Sequence, residues 1–422
     1  MTEPDRPREE PAEPGADDTR SRDEPEPARS TVGQRFWREL ATGNAMVTVL
    51  SVVLALLIGA ALIVVSDPRV QDAMGYFFSR PGDTFSAAWR SVSGAYAALF
   101  EGSLINFREY SIGRALRPFA ATLTYATPLI AAGLAVALPF RAGLFNIGAE
   151  GQIILGALFA GYVGFAFNLP IIVHVAVAVV AGLIGGAMWA GIVGVLKAKT
   201  GAHEVIVTIM LNNIARFLIL YLLATAAFQR PGRADPISPF VAESAQLPRF
   251  FEGSRLHAGI LLVILAAAFV WWLLERSTLG FRLRAVGYNP NAATTAGMSV
   301  SRTYIAVFLV AGALAGLAGA SLALGTERHL TPGISGGLGF DAITVALLGR
   351  ANPWGVIAAG VLFGALRSGG VIMQTRTGTP IDIVLVVQAL IVLFIAAPPL
   401  VRAVFRIKIR APEPLTTASK GW

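Results

Sequence analysis

Gly143-Leu-Phe-Asn146-Ile-Gly-Ala-Glu150-Gly-Gln152 and Gly333-Ile-Ser-Gly-Gly-Leu-Gly-Phe-Asp341 are the passages on which the reading of this chain turns. Each stands at the foot of an apolar run and interrupts it with glycines followed by a carboxylate. Irregular backbone at membrane depth is tolerated only where protein or a water-filled cavity surrounds it. Paired glycine-broken spans in two halves of a chain are the best sequence pointer to a transport path. The two passages therefore indicate a transporter subunit.

Working outward, the composition agrees. The chain has 422 residues, 55% hydrophobic and only 14% charged, with a mean hydropathy of +0.62. A soluble chain carries about 25% charge. Apolar spans are read at 46–66, 118–139, 150–168, 171–196, 204–227, 257–275, 303–324, 340–349, 354–372 and 381–399. A straight crossing needs about 20 residues, so the eighth must be broken, re-entrant or shielded by protein. The predicted fold is all-α: a polytopic membrane protein with about ten transmembrane helices.

Arginine and lysine in short loops set orientation. With the N-terminus in the cytosol, Arg141, Lys197, Lys199, Arg276, Arg282, Arg284, Arg302 and Arg350 lie inside with the basic C-terminus. Arg230, Arg233, Arg249, Arg255, Arg328 and Arg376 lie outside. Both termini are thus expected to be cytosolic. Residues 34–117 hold the first span and an extracellular segment whose aromatics, among them Tyr76, Phe78 and Trp89, suggest an amphipathic interfacial piece. The core is expected over 118–400, followed by a basic tail over 401–422.

Residues 1–33 carry ten acidic and five basic side chains and six prolines. Such a segment cannot bury a core and is expected to be a disordered cytosolic tail. It does not read as a signal peptide, because the first apolar run begins only near Ala45. There are no cysteines, so disulfides and thiolate chemistry are excluded, and the four histidines show no metal spacing. No Gly-x-x-x-x-Gly-Lys-Ser/Thr occurs. No ATP or other cofactor is expected on this chain, and any ATP–magnesium would sit on a partner. No catalytic triad, metal cluster or cofactor loop supports an enzyme, and no nucleic-acid partner is expected.

Small residues recur four apart at Gly182, Gly186, Ala190 and Gly194, at Gly156, Ala160 and Gly164, at Gly312, Gly316 and Ala320, and at Gly360, Gly364 and Ser368. Such rows form flat helix faces on which backbones approach closely. Two loop-to-helix passages also match: Thr200-Gly201 leading to Glu204, and Thr377-Gly378 leading to Asp382. They suggest an inverted repeat relating spans two to five with spans seven to ten. On that topology the Glu150 and Asp341 passages fall on opposite membrane sides.

The loop after the sixth span reads Arg282-Leu-Arg284-Ala-Val-Gly-Tyr-Asn289-Pro290-Asn-Ala-Ala-Thr-Thr-Ala-Gly297. Asn289 suits an N-cap, Pro290 the first helical position and Gly297 the position past the end. A two-turn helix is marginal in water and needs a docking surface.

These motifs resemble a family. Gly143–Gln152 looks like the signature of permease subunits of nucleoside-type ABC importers, a group that also includes ribose and branched-chain amino acid permeases. Glu204-Val-Ile-Val-Thr-Ile-Met-Leu-Asn212-Asn213 matches a second family segment, and 284–297 matches the cytosolic coupling loop. The resemblance covers about Pro118 to Pro399. It implies an ATP-driven importer of the bacterial inner membrane for nucleosides, or less commonly simple sugars, working by alternating access. The implied partners are an ABC ATPase docked on the coupling loop (Arg282, Arg284, Asn289, Pro290, Gly297), a second permease of sister sequence, and an extracellular substrate-binding protein. An ion-coupled secondary transporter acting alone is the alternative.

An uncharged cargo calls for amides and hydroxyls. The candidates are Asn146, Glu150, Gln152, Asn212, Asn213, Asp341 and Gln388. Carboxylates at membrane depth are costly and usually functional. Glu150 has two open roles: contact with substrate, or acceptance of N–H groups from a broken helix. Only one of the adjacent Asn212 and Asn213 can face the path. Asp341 can simply cap the span it opens, and Arg367 either snorkels or pairs with an acid of a neighbouring span.

Overall fold

A computed structural model describes residues 44–406 apart from residue 252. The predicted 1–33 tail and the end of the basic C-terminal tail lie outside the described residues. The fold below is that of the chain from Val47 onward.

The described residues form helices, with a long connection over 224–258 and one isolated bridge between Arg249 and His257. The helices are α1 (Asn44–Ser66), α2 (Pro68–Met74), α3 (Pro81–Ser103), α4 (Ile112–Ala115), α5 (Arg117–Phe140), α6 (Ala149–Ala166), α7 (Ile171–Thr200) and α8 (Glu204–Leu223). They continue as α9 (Gly259–Arg276), α10 (Thr278–Tyr288), α11 (Pro290–Thr295), α12 (Val300–Ser321), α13 (Leu338–Leu348), α14 (Pro353–Thr377), α15 (Asp382–Ala396) and α16 (Pro398–Val404). Each of the ten apolar runs read from the sequence holds a helix. Among the described residues eight helices are long and apolar enough to cross a membrane, or nine if α15 and α16 count as one bent span.

The expected tenth span, 381–399, is not straight: α15 and α16 meet at 97°. Pro398 and Pro399 explain the break. Proline pushes the residue before it out of the helical region, and Ala397 has φ −118° and ψ 67°. The expected eighth span is α13, whose eleven residues reach about 16 Å, half a bilayer core.

Helices α5 and α12 form the centre and are largely buried within the protein. Their contacts repeat in pairs. Helix α5 packs on α14 as α12 packs on α7, and α5 packs on α13 as α12 packs on α6. The glycine rows make the closest of these contacts. A methyl added at Gly186 or Gly312 would overlap the backbone of the other, and one at Gly316 would overlap Gly182. The two Thr-Gly passages share a left-handed cap as well: Gly201 has φ 70° and donates to the Lys197 carbonyl, and Gly378 has φ 74° and donates to that of Gln374.

The 67–117 segment does more than cover a surface. Helix α3 buries Ala95, Ala98 and Gly102 and packs along α14. Ser368 donates to the Gly102 carbonyl at 2.9 Å and Thr122 to that of Ser103 at 2.6 Å. Its aromatics Phe85 and Trp89 remain exposed on the other face, as an amphipathic piece requires.

Candidate functional site

The two glycine-broken passages touch. The Glu150 carboxylate accepts from Ser335 Oγ at 2.6 Å and from the backbone N–H groups of Gly337 at 3.2 Å and Gly339 at 2.8 Å. Gly337, the N-cap of α13, has φ 80° and offers no side chain. Glu150 on α6 therefore caps α13 from outside, satisfying donors that every helix N-terminus leaves free and placing negative charge at its positive end. Gly339 must be glycine here, because any Cβ would overlap the Glu150 backbone.

This overturns the expectation that the two passages lie on opposite membrane sides. Both are N-termini of helices that begin inside the bundle, so they meet at one depth. The signature loop doubles back along α5, where Asn146 donates to the Ala135 carbonyl at 3.2 Å. At its other end α13 returns to the foot of α5, where Arg141 donates to the Ala351 carbonyl at 3.0 Å.

Helix α6 is held in the same way. Asn212 of α8 accepts from Gly151 N–H at 2.9 Å and donates to the Ile147 carbonyl at 2.9 Å. Asn146 and Gln152 bond to each other through both amide groups, at 3.0 and 2.9 Å, and Asn146 also accepts from Gly148 N–H. Both are 1% exposed. They hold the turn, and neither lines the cavity beside Glu150. Gln388 is also set apart: it lies on the buried face of α15 with Val384, Val387 and Ile391.

Asp341, one turn into α13, pairs with Arg367 of α14 at 3.4 Å. That places the Arg367 side chain against an acid of a neighbouring span. Glu204 at the start of α8 pairs with Lys197 at 2.7 Å.

A cavity of about 290 Å³ opens beside the carboxylate contact, lined by Glu150, Asn212, Asn213, Arg216, Ser335 and Phe340 among others. Asn212 is buried and Asn213 exposed; the Asn213 amide N–H bonds only the Ile209 carbonyl one turn back. Arg216, Ser335 and Phe340 are cavity residues missed from the sequence. Arg216 follows Asn212 by four residues, and the shared helix face was the available signal.

On the predicted cytosolic side, Asn289 caps α11, accepting from the N–H groups of Asn291 at 3.0 Å and Ala292 at 3.1 Å, and Gly297 has φ 79°. The arginines before it are themselves helical, in α10. Arg284 turns back to the Leu274 carbonyl and lies 3.8 Å from Glu275, while Arg282 is exposed. Gly287 of α10 presses on the start of the signature loop: a Cβ there would sit 2.5 Å from the Arg141 carbonyl.

The model of the branched-chain amino acid transport system / permease component family matches residues 119–396. The chain belongs to that family. Among the relatives this permease resembles, the guanosine ABC transporter permease protein NupP of Bacillus subtilis is 41% identical over 74% of this chain and 88% of its own length. The glucose ABC transporter permease protein TsgB13 of Haloferax volcanii is 37% identical, over 65% of this chain and 74% of that one. The nucleoside ABC transporter permease protein NupB of Lactococcus lactis is 35% identical, over 66% and 79%. No solved structure matches. The chain is thus an ABC importer permease, a multi-pass inner-membrane protein and a transport subunit, not an enzyme. The family implies an ATPase and a substrate-binding partner. It sets aside the alternative of a secondary transporter working alone.

Proposed function

We propose that this permease carries nucleosides inward by alternating access, with the cavity between α6, α8 and the head of α13 as part of the path. The observation that carries this is the meeting of two glycine-broken helices at the edge of a cavity whose wall holds amides, a hydroxyl, an aromatic ring, the Arg216 guanidinium and a Glu150 carboxylate already engaged by α13. A polar, uncharged cargo suits such a wall. The relatives named for guanosine and for nucleosides support the substrate class; the relative named for glucose supports a sugar as the second reading.

In this cycle Glu150 acts as a latch between α6 and α13. Helices α10 and α11 dock on the ATPase through exposed positions such as Tyr288 and Asn291. Their motion reaches the signature loop through the contact of Gly287 with Arg141 and Ala142. A second permease, of sister sequence, closes the open side. The test is to find which ligand raises the melting temperature of the cognate binding protein and then to measure its uptake with and without this permease. Stabilisation by nucleosides, with uptake lost on deletion, is expected. Stabilisation by a hexose alone would replace the nucleoside reading with the sugar one.

A further inference from the structure

The hydrogen-bond inventory of the cavity narrows the cargo further, granted that the nucleoside reading holds. Glu150 already accepts from Ser335, Gly337 and Gly339, which takes up most of its acceptor capacity. Asn212 spends both ends of its amide on Gly151 and Ile147. Arg216, Asn213 and Phe340 are left to meet a ligand. Among the described residues Arg216 has no ion pair and no hydrogen bond. Its guanidinium lies 5.2 Å from the centroid of the Phe217 ring. It sits twelve residues into α8, about 18 Å from its start, near the middle of a membrane. A guanidinium at that depth is costly and marks a pathway. Phe340 exposes 52% of its surface, a ring face open to stacking, and Asn213 has a free carbonyl oxygen.

We propose that Arg216 is a specificity-determining residue that favours 6-oxopurine nucleosides. A guanidinium presents two parallel donors. The purine edge with O6 and N7 offers two adjacent acceptors, the match by which arginine reads guanine. Adenine replaces O6 with an amino donor, and pyrimidines offer a single acceptor on that side. Phe340 supplies a face for the ring, and the Asn213 carbonyl an acceptor for a ring N–H.

The experiment uses the complete importer in proteoliposomes, with binding protein saturated in turn with inosine, adenosine and uridine. Uptake is compared between wild type, Arg216→Lys and Arg216→Gln. The binding protein is common to all three, so its own preference cancels in the ratios. The inosine-to-adenosine ratio should fall roughly tenfold in both variants, the loss expected for one bidentate contact, with assembly intact in Arg216→Lys. A ratio unchanged within twofold in Arg216→Lys overturns the assignment. Loss of assembly in Arg216→Gln with a wild-type ratio in Arg216→Lys also overturns it, making the arginine an ion partner of the second permease. Absence of any nucleoside uptake in wild type would instead defeat the broader nucleoside reading.

Discussion

Replacing Glu150 by Gln tests the latch directly. The carboxylate accepts three hydrogen bonds, two of them from backbone N–H groups at the head of α13. Glutamine keeps one acceptor oxygen and turns an NH₂ group toward either Gly339 N–H or the Ser335–Gly337 pair. At least one part-buried donor is then unpaired and faces another donor. Loss of a charge-assisted bond with such a donor stranded costs about 3 kcal/mol, a figure that already includes some relaxation. For an ordered chain of this size, the entropy of unfolding converts that to a fall of roughly 4 °C in melting temperature.

The measurement is thermal unfolding of the purified importer in detergent, together with ATP-dependent uptake. The variant should assemble, melt lower and transport less. Gly339→Ala should act on the same contact by driving the α13 head off the Glu150 backbone. Because both changes break one contact, the double variant should be less destabilised than the two single losses added together. A melting point within 1 °C of wild type and unchanged uptake in Glu150→Gln would refute the latch. Strict additivity with Gly339→Ala would show that the two residues act separately.

Three other outcomes are expected. Gly316→Ala pushes a methyl into the Gly182 backbone across the α7–α12 contact; it should destabilise by about 1–3 kcal/mol, read as a lower melting point with ATPase assembly retained. Gly287→Ala intrudes on the Arg141 carbonyl and should separate hydrolysis from transport: ATP turnover persists while uptake per ATP falls roughly fivefold or more. His257 stands just before α9, buried against Gly325, and accepts from Gly259 N–H while its other ring nitrogen meets Thr326. Burial, then the nearby Arg249 and Arg328 charges, lowers its pKa to about 4. The unfolded chain binds this proton near pH 6.5, so stability rises with pH between about 4 and 6.5 and is lost as pH falls through that window. The loss amounts to about 3 kcal/mol, and melting curves of His257→Gln should lack that slope.

What was legible in the sequence follows the range of the interactions. Hydropathy and helix caps are local, so the helices, the Asn289 cap and the two Thr-Gly stops could be read from single segments. The break at Pro398 was also local: two prolines stand inside the 381–399 run, and the straight span ignored their effect on Ala397. The site was less legible because its partners lie far apart in the chain. Glu150 and Ser335 are separated by 185 residues, and nothing in either passage says that one caps the other. Asn146 and Gln152 looked like pathway amides because an amide pair closed on itself has the same sequence as two open ones. Asn212 and Asn213 were equivalent until the fold committed Asn212 to the α6 turn and left Asn213 bonded within its own helix, both at the cavity.

These assignments change what the polar residues can do. A part-buried acceptor that satisfies three donors at a helix head has little left for a passing ligand, and one unsatisfied donor costs more than a weak contact returns. If Glu150 released α13 to bind cargo directly, it would have to strand those donors in every cycle. The less costly course keeps Glu150 on α13 and moves the α6–α13 unit together, leaving ligand contact to residues with uncommitted groups. On that reasoning Glu150→Gln should damage transport of all nucleosides alike, whereas changes at Arg216 should alter their order. A Glu150 variant that reordered substrates while melting normally would place the carboxylate in contact with the cargo after all.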